Sequence, residues 1–105
     1  MARRHGTSLS GVAFSEATKI AVWQKAIVVG GVDPRVRRKD ACGAWIDWSK
    51  YGDVTPGGTG WEIDHIKPVS ANGGDGLDNL QPLQWENNRF KGDGWPNWSC
   101  KVKAA

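Results

Sequence analysis

The chain has 105 residues, enough for one domain whose single core buries roughly 60–68% of the surface that the unfolded chain exposes. Hydrophobic residues make up 39% of the sequence and charged residues 24%, which excludes a wholly disordered chain. Lysine and arginine exceed aspartate and glutamate by 14 − 11 = 3 charges. No apolar run reaches the ~18 residues of a membrane span. A polyanion is therefore a more reasonable partner than a lipid bilayer.

The first segment, residues 1–14, mixes Arg, Gly, Ser and Thr without a period and is predicted to be a flexible basic arm. Residues 15–105 contain no linker and no repeat, so they are predicted to form a single domain. Ser15 is placed to cap a helix, with Glu16 near the positive end of the helix dipole. The apolar residues that follow keep near-helical spacing as far as Gly30-Gly31 and predict a packing helix: Ala17, Ile20, Ala21, Trp23 and Ile27.

The middle of the chain predicts one short strand before the main motif. Asp33-Pro34 indicates a turn. The charged connector at residues 35–40 has no pattern that predicts a helix or a strand. Residues 44–48 alternate in polarity and predict a strand. Three of its residues share one face: Ala44, Ile46 and Trp48. Gly and Pro mark residues 55–60 as a loop.

The last third of the chain predicts a strand, a long loop, a returning strand and a helix. The strands are expected at residues 61–66 and 80–85, separated by a Gly-rich polar loop at residues 70–79. Residues 86–91 predict a short helix that ends at Gly92. The fold class is therefore predicted to be α+β.

The two cysteines, Cys42 and Cys100, can pair only once. The N-terminus lacks the apolar stretch of a signal peptide, which predicts a cytoplasmic protein, and a reducing cytosol keeps thiols reduced. Both cysteines are therefore predicted to be buried thiols, with a disulfide as the minority alternative.

Seven tryptophans in so short a chain suggest base stacking, which is worth ~1–3 kcal/mol per base on single strands. Core packing is favoured instead for Trp23, Trp61 and Trp85, which lie in or beside the periodic segments. Trp95 and Trp98, in the loop at residues 93–99, are predicted to be the most exposed.

The residues able to carry chemistry are concentrated between positions 61 and 91. An imidazole accepts protons near neutral pH, so His65 is a candidate general base. The carboxylate of Asp64 and the amide oxygen of Asn88 are hard ligands, suited to Mg²⁺ or Mn²⁺. A base together with a hard cation is a minimal arrangement for hydrolysing a phosphodiester.

Adjacent residues of a regular strand point to opposite faces, so Asp64 and His65 face one substrate only if the strand bends or ends there. Pro68 and the loop after it favour such an ending. The imidazole also needs a partner for its other nitrogen, and Asn79 is the candidate.

Three stretches carry a family resemblance: Trp61-Glu-Ile-Asp-His-Ile-Lys-Pro-Val-Ser, Leu77-Asp-Asn-Leu-Gln-Pro-Leu and Glu86-Asn-Asn-Arg-Phe-Lys-Gly-Asp. Asn79 follows His65 by 79 − 65 = 14 residues, and Asn88 follows Asn79 by 88 − 79 = 9. In these features the segment strongly resembles the HNH endonucleases of the ββα-metal, or His-Me finger, group. The resemblance is close over about a third of the chain and looser over about two thirds.

The resemblance implies a ββα-metal core at about residues 61–93, with an N-terminal packing helix and an additional short strand or hairpin. It implies that Asp64 and Asn88 hold one divalent cation. It also implies that His65 is the general base and that Asn79 orients it. The products expected from such an enzyme carry a 5′-phosphate and a 3′-hydroxyl.

Four basic residues are predicted to contact DNA: Lys91, Arg38, Lys67 and Arg89. Lys91 lies three residues after Asn88, on the same helical face, and is predicted to reach a phosphate oxygen. Arg89 has the alternative of a plain surface charge. Asn88 favours Mg²⁺ or Mn²⁺, with Ni²⁺ and Zn²⁺ left open, and the sequence has no Cys-x-x-Cys pair, so no structural zinc is expected.

The expected substrate is double-stranded DNA, cut by a monomer or homodimer, alone or with a partner protein that supplies specificity, in a phage or restriction context. One alternative is a catalytically silent nucleic-acid-binding module of the same fold. Another is the nuclease domain of an antibacterial toxin, which would share the chemistry. The intact set of Asp64, His65 and Asn88 argues against the silent module, because binding alone makes no demand for these three residues.

Overall fold

The computed structural model describes residues 7, 8 and 11–103. Its helices and strands, in chain order, are α1 (Glu16–Trp23), β1 (Arg37–Lys39), β2 (Trp45–Asp47), β3 (Trp61–His65), β4 (Leu80–Gln84) and α2 (Trp85–Lys91). β1 pairs with β2 and β3 pairs with β4, both antiparallel, in two separate sheets. The predicted α+β class is confirmed. Within the described part of the chain, no helix has the length and apolarity to cross a membrane.

Most of the predicted basic arm lies outside the described residues, including Arg3, Arg4 and His5. In its described part, Thr7 and Ala13 form an antiparallel bridge, and Phe14 packs against the core. The chain therefore enters α1 directly from a segment that contacts the domain.

Helix α1 begins as predicted, because the hydroxyl oxygen of the N-cap Ser15 accepts a hydrogen bond of 3.1 Å from the Thr18 N–H. It ends at Trp23, well before Gly30, since the chain turns so that Ile27 and Lys39 form a β-bridge. The predicted apolar face is therefore partly wrong. Ile20 and Ile27 are 43% and 50% exposed, whereas Val22 and Trp23 are buried.

The predicted strand at residues 44–48 is present in a shorter form as β2, which covers Trp45–Asp47. Ile46 and Ala44, the residue before the strand, are buried. The partner of this strand, β1, lies in the charged connector at residues 35–40, for which the sequence predicts no secondary structure. Arg37 lies opposite Asp47 in the register, and its Nε donates to the Asp47 carboxylate at 2.7 Å. This cross-strand ion pair explains how a charged segment becomes a strand.

The core is built around tryptophan side chains. Its buried members are Val22, Trp23, Ala26, Ile46, Trp61, Ile63 and Leu80, with Phe14, Trp48 and Tyr51 packed against them. The ring centroids of Trp23 and Trp61 are 5.2 Å apart in a tilted arrangement. The predicted core role of these two tryptophans is confirmed.

The strand, strand, helix order predicted for the last third is also confirmed. β3 and β4 pair from Trp61 opposite Gln84 to His65 opposite Leu80. Helix α2 follows β4 without a loop because the side-chain oxygen of Gln84 accepts hydrogen bonds from the backbone N–H groups of Glu86 and Asn87 in the first turn of the helix. The helix ends at Gly92, whose φ of +52° favours glycine.

A fully buried carboxylate, Asp40, connects the first sheet to the start of α2. One of its oxygens accepts from the backbone N–H groups of Cys42 and Ala44, each at 2.9 Å. The other accepts from the Gln84 N–H at 2.9 Å and from the Asn87 side-chain amide at 3.0 Å. All of these donors lie in or beside β2, β4 and α2, so Asp40 fixes their relative positions.

The cysteine prediction is wrong: Cys42 and Cys100 form a disulfide, and both residues are partly exposed. Their Cα atoms are 5.8 Å apart although they are 58 residues apart in sequence, a distance that suits a disulfide. Asn87 brings the two cysteines close together. Its side chain bonds Asp40, near Cys42, and accepts hydrogen bonds from the backbone N–H groups of Lys101 and Val102, next to Cys100. No local pattern in the sequence reveals this pairing.

Candidate functional site

Both faces of β3 are covered, and its five residues are all buried. Trp61 and Ile63 belong to the core cluster, whereas Glu62 and Asp64 contact side chains of α2. The side chains of Glu62, Asp64, Asn88 and Lys91 therefore form a polar layer that is enclosed between β3 and α2.

The Asp64 carboxylate is held by two donors. Gln81, its cross-strand neighbour on β4, donates from Nε2 to Oδ2 at 3.0 Å. The Nζ of Lys91 lies 3.3 Å from Oδ1 and 3.2 Å from Oδ2. Burial raises the pKa of Asp64 above its ordinary value, although Gln81 and Lys91 both favour the charged form.

Lys91, in the last turn of α2, has a fully buried side chain. Besides Asp64, its ammonium donates to the backbone carbonyl oxygen of His65 at 3.1 Å, and it lies 5.9 Å from the ring centroid of Trp98. The phosphate contact predicted for Lys91 needs an exposed ammonium, whereas here the ammonium lies inside the polar layer.

Glu62 is a site residue that sequence reasoning missed. Its side chain is 7% exposed, and its Oε1 accepts a hydrogen bond of 2.9 Å from Nδ2 of Asn88. Its Oε2 accepts from the guanidinium of Arg89 at 3.0 Å. The two-residue spacing from Asp64 places Glu62 on the same strand face, and this spacing is the signal that could have identified it.

His65 is buried and makes one side-chain hydrogen bond, from Nε2 to Oδ1 of Asp75 at 2.8 Å. Its Nδ1 is buried without a partner, and its ring centroid is 5.9 Å from that of Phe14. Asp75, in the Gly-rich loop, was also missed. The sequence around it gives no signal beyond a carboxylate ten residues after the histidine.

Asn79 does not bond the imidazole but connects the two ends of the loop after β3. Its Oδ1 accepts from the Lys67 N–H at 2.8 Å, and its Nδ2 donates to the carbonyl oxygens of Lys67 and Gly74 at 3.0 and 2.9 Å. This closed loop requires glycine at position 73, because a Cβ there would lie 1.7 Å from the backbone oxygen of Lys67. Asn79 therefore fixes the backbone that carries Asp75.

The two remaining predicted contacts for DNA lie in different surroundings. The guanidinium of Arg38 donates to the carbonyl oxygens of Pro34 and Gln24 at 2.9 and 3.1 Å, near the end of α1. The ammonium of Lys67 lies 5.2 Å from the ring centroid of Trp95, which is 44% exposed. Arg38 therefore has backbone partners remote from the polar layer, whereas Lys67 lies on the loop beside it.

The polar layer offers hard oxygen atoms that suit Mg²⁺ or Mn²⁺: the carboxylates of Asp64 and Glu62 and the amide oxygen of Asn88. Since the Asn88 nitrogen donates to Glu62, its oxygen is the end of the amide left to act as a ligand. Among the described residues, no group of three or more His, Cys, Asp or Glu is arranged to hold a metal. Carboxylate and amide oxygens as a donor set fit a hard cation that keeps several waters.

Comparison with known proteins gives one family match. The family model described as HNH endonuclease matches residues 42–94, just over half of the chain, and this segment contains β2, β3, β4 and α2. No curated protein and no solved structure matches the chain significantly.

Proposed function

The chain belongs to the HNH endonuclease family, and on that premise we propose that it is a metal-dependent DNA endonuclease with His65 as its general base. Family membership supports a nuclease-type hydrolase in general. The observation that supports this mechanism is the imidazole itself, whose Nε2 bonds Asp75 while its buried Nδ1 has no partner.

The imidazole carries out proton transfer in this proposal. Donation from Nε2–H to Asp75 fixes the tautomer in which Nδ1 has a lone pair. Nδ1 then accepts the proton of the attacking water, and the Asp75 carboxylate stabilises the imidazolium that forms. Asn79 holds the loop that positions Asp75.

Asp64 and Asn88 would hold the divalent cation, with Mg²⁺ or Mn²⁺ favoured by their hard oxygens. A cation held there would supply Lewis-acid chemistry at the phosphoryl oxygen and charge stabilisation at the leaving oxygen. Glu62 directs the Asn88 oxygen toward the site by accepting from its nitrogen. Lys67, on the loop after β3, and Arg89, whose guanidinium bonds Glu62, are the proposed phosphate contacts, in line with recognition of the DNA backbone.

The proposal is tested by incubating the protein with supercoiled plasmid and Mg²⁺ or Mn²⁺, with and without chelator. Nicked or linear product is expected only with metal, and Asp64→Asn is expected to lose about 100-fold or more in rate. Asp33→Asn is the matched control, because the exposed Asp33 carboxylate bonds the guanidinium and the backbone N–H of Arg35, both away from the polar layer.

Two outcomes would contradict the proposal. Cleavage that survives chelation or the Asp64→Asn change would remove the metal site from the mechanism. DNA retardation on a gel without any cleavage would favour the catalytically silent module.

Glu62→Gln is expected to weaken Mn²⁺ binding by about 10–100-fold. A glutamine can donate to the Asn88 oxygen, so the amide turns and presents nitrogen, which is not a ligand, to the cation. Titration calorimetry measures the change, and Glu16→Gln is the control because Glu16 lies at the exposed start of α1. Equal affinities in the two variants would contradict the orienting role.

A further inference from the structure

The Lys91 ammonium has three oxygen neighbours: both carboxylate oxygens of Asp64 and the backbone carbonyl oxygen of His65. Its side chain is fully buried and Asp64 is nearly so. Burying an ammonium is costly unless a paired charge offsets its desolvation. Lys91 therefore neutralises Asp64 from inside the polar layer, not from solvent.

A divalent cation at Asp64 needs the same carboxylate oxygens. Lys91 lies within 3.3 Å of both of them, and a like charge at that distance strongly opposes the cation in an environment of low dielectric constant. An ammonium and a divalent cation at the same carboxylate oxygens therefore compete, and binding of one favours departure of the other.

We infer, on the basis of the proposed function, that Lys91 is a built-in competitor for the metal: its ammonium fills the cation position at Asp64 and is displaced when the divalent ion binds. The Trp98 ring, 5.9 Å from the ammonium, gives the displaced charge a neighbouring aromatic face. The displaced ammonium is then available to a phosphate oxygen of the substrate.

Two consequences follow from this competition. The apparent metal affinity is reduced by the fraction of molecules in which Lys91 has left Asp64. The metal-free protein is stabilised, because Asp64 is not left as an unpaired buried charge. Metal affinity and metal-free stability are therefore linked with opposite signs through a single residue.

Lys91→Met, which keeps the length and removes the charge, tests the inference. Calorimetry is expected to give a dissociation constant for Mn²⁺ about tenfold lower or more than that of the wild type. Thermal unfolding is expected at a lower temperature without metal, with a larger rise on adding Mn²⁺. Lys50→Met, at an exposed lysine, is expected to change neither quantity.

The wild-type protein offers a second measurement that needs no variant. The ¹⁵N-labelled ammonium resonance of Lys91 is expected to be protected from solvent without metal and to shift or exchange with solvent as Mg²⁺ is added, with the same concentration dependence as metal binding. A resonance that does not respond to saturating Mg²⁺ would show that the ammonium stays in place, and the inference would fail.

The outcomes separate this inference from the proposed function. Metal binding that depends on Asp64 but is unchanged or weakened in Lys91→Met leaves the enzyme proposal intact and overturns the competition. Absence of metal binding in the wild type and in Lys91→Met overturns both.

Discussion

His65→Ala is expected to reduce plasmid cleavage by about 10²–10⁴-fold, the usual contribution of a positioned general base. No other described imidazole is available, since His5, the second histidine, lies outside the described residues. Mn²⁺ binding is expected to persist, because Asp64 bonds Gln81 and Lys91 while Asn88 bonds Glu62, and neither side chain bonds the imidazole. Cleavage rates and calorimetry on the same preparation measure the two effects separately.

Matched variants make this result specific. His5→Ala is expected to cleave as the wild type does, and His65→Asn, which keeps a polar group in the buried position, is expected to be as inactive as His65→Ala. Asp75→Asn is expected to lower kcat by about 10–100-fold with little change in KM, because it alters the partner of Nε2 and not the substrate contacts. Full activity in His65→Asn would remove the imidazole from the mechanism.

Replacing both Cys42 and Cys100 with serine is expected to lower the free energy of unfolding by about 4 kcal/mol, from the chain entropy that a link across a 58-residue separation removes from the unfolded state. For a domain of this size the midpoint of thermal unfolding should fall by roughly 15–30 °C. Calorimetry or circular dichroism with temperature measures the shift.

A reducing agent serves as the control for the disulfide. It is expected to lower the unfolding temperature of the wild type to that of the double serine variant and to leave the variant unchanged. Identical unfolding of wild type and variant would contradict the stabilising role. Disulfides are rare in a reducing cytosol, and the cytoplasmic location stays a prediction.

The parts of the fold that sequence reasoning anticipated are those with local signals. Ser15 caps α1, and β3, β4 and α2 follow the predicted order with ends within one or two residues. In these segments the capping residue, the turn glycines and the alternation of side chains all act within a few positions. The same local order places Asp64 and Asn88 on facing elements.

The missed features depend on contacts between distant residues. β1 exists because Arg37 meets Asp47, and α1 stops early because Ile27 bridges Lys39. The ammonium of Lys91 reaches Asp64 across 27 residues. Helical spacing correctly placed Lys91 beside Asn88, but only the packing of α2 on β3 shows that the ammonium points inward.

The link between Cys42 and Cys100 has a practical consequence for handling the protein. A protease that cuts the exposed turn at residues 55–57 would leave two fragments still joined by a covalent bond. Such a cleaved molecule would migrate as a single species until it was reduced. A sample judged whole on a non-reducing gel can therefore contain cut backbone, with β1 and β2 on one fragment and β3 to α2 on the other.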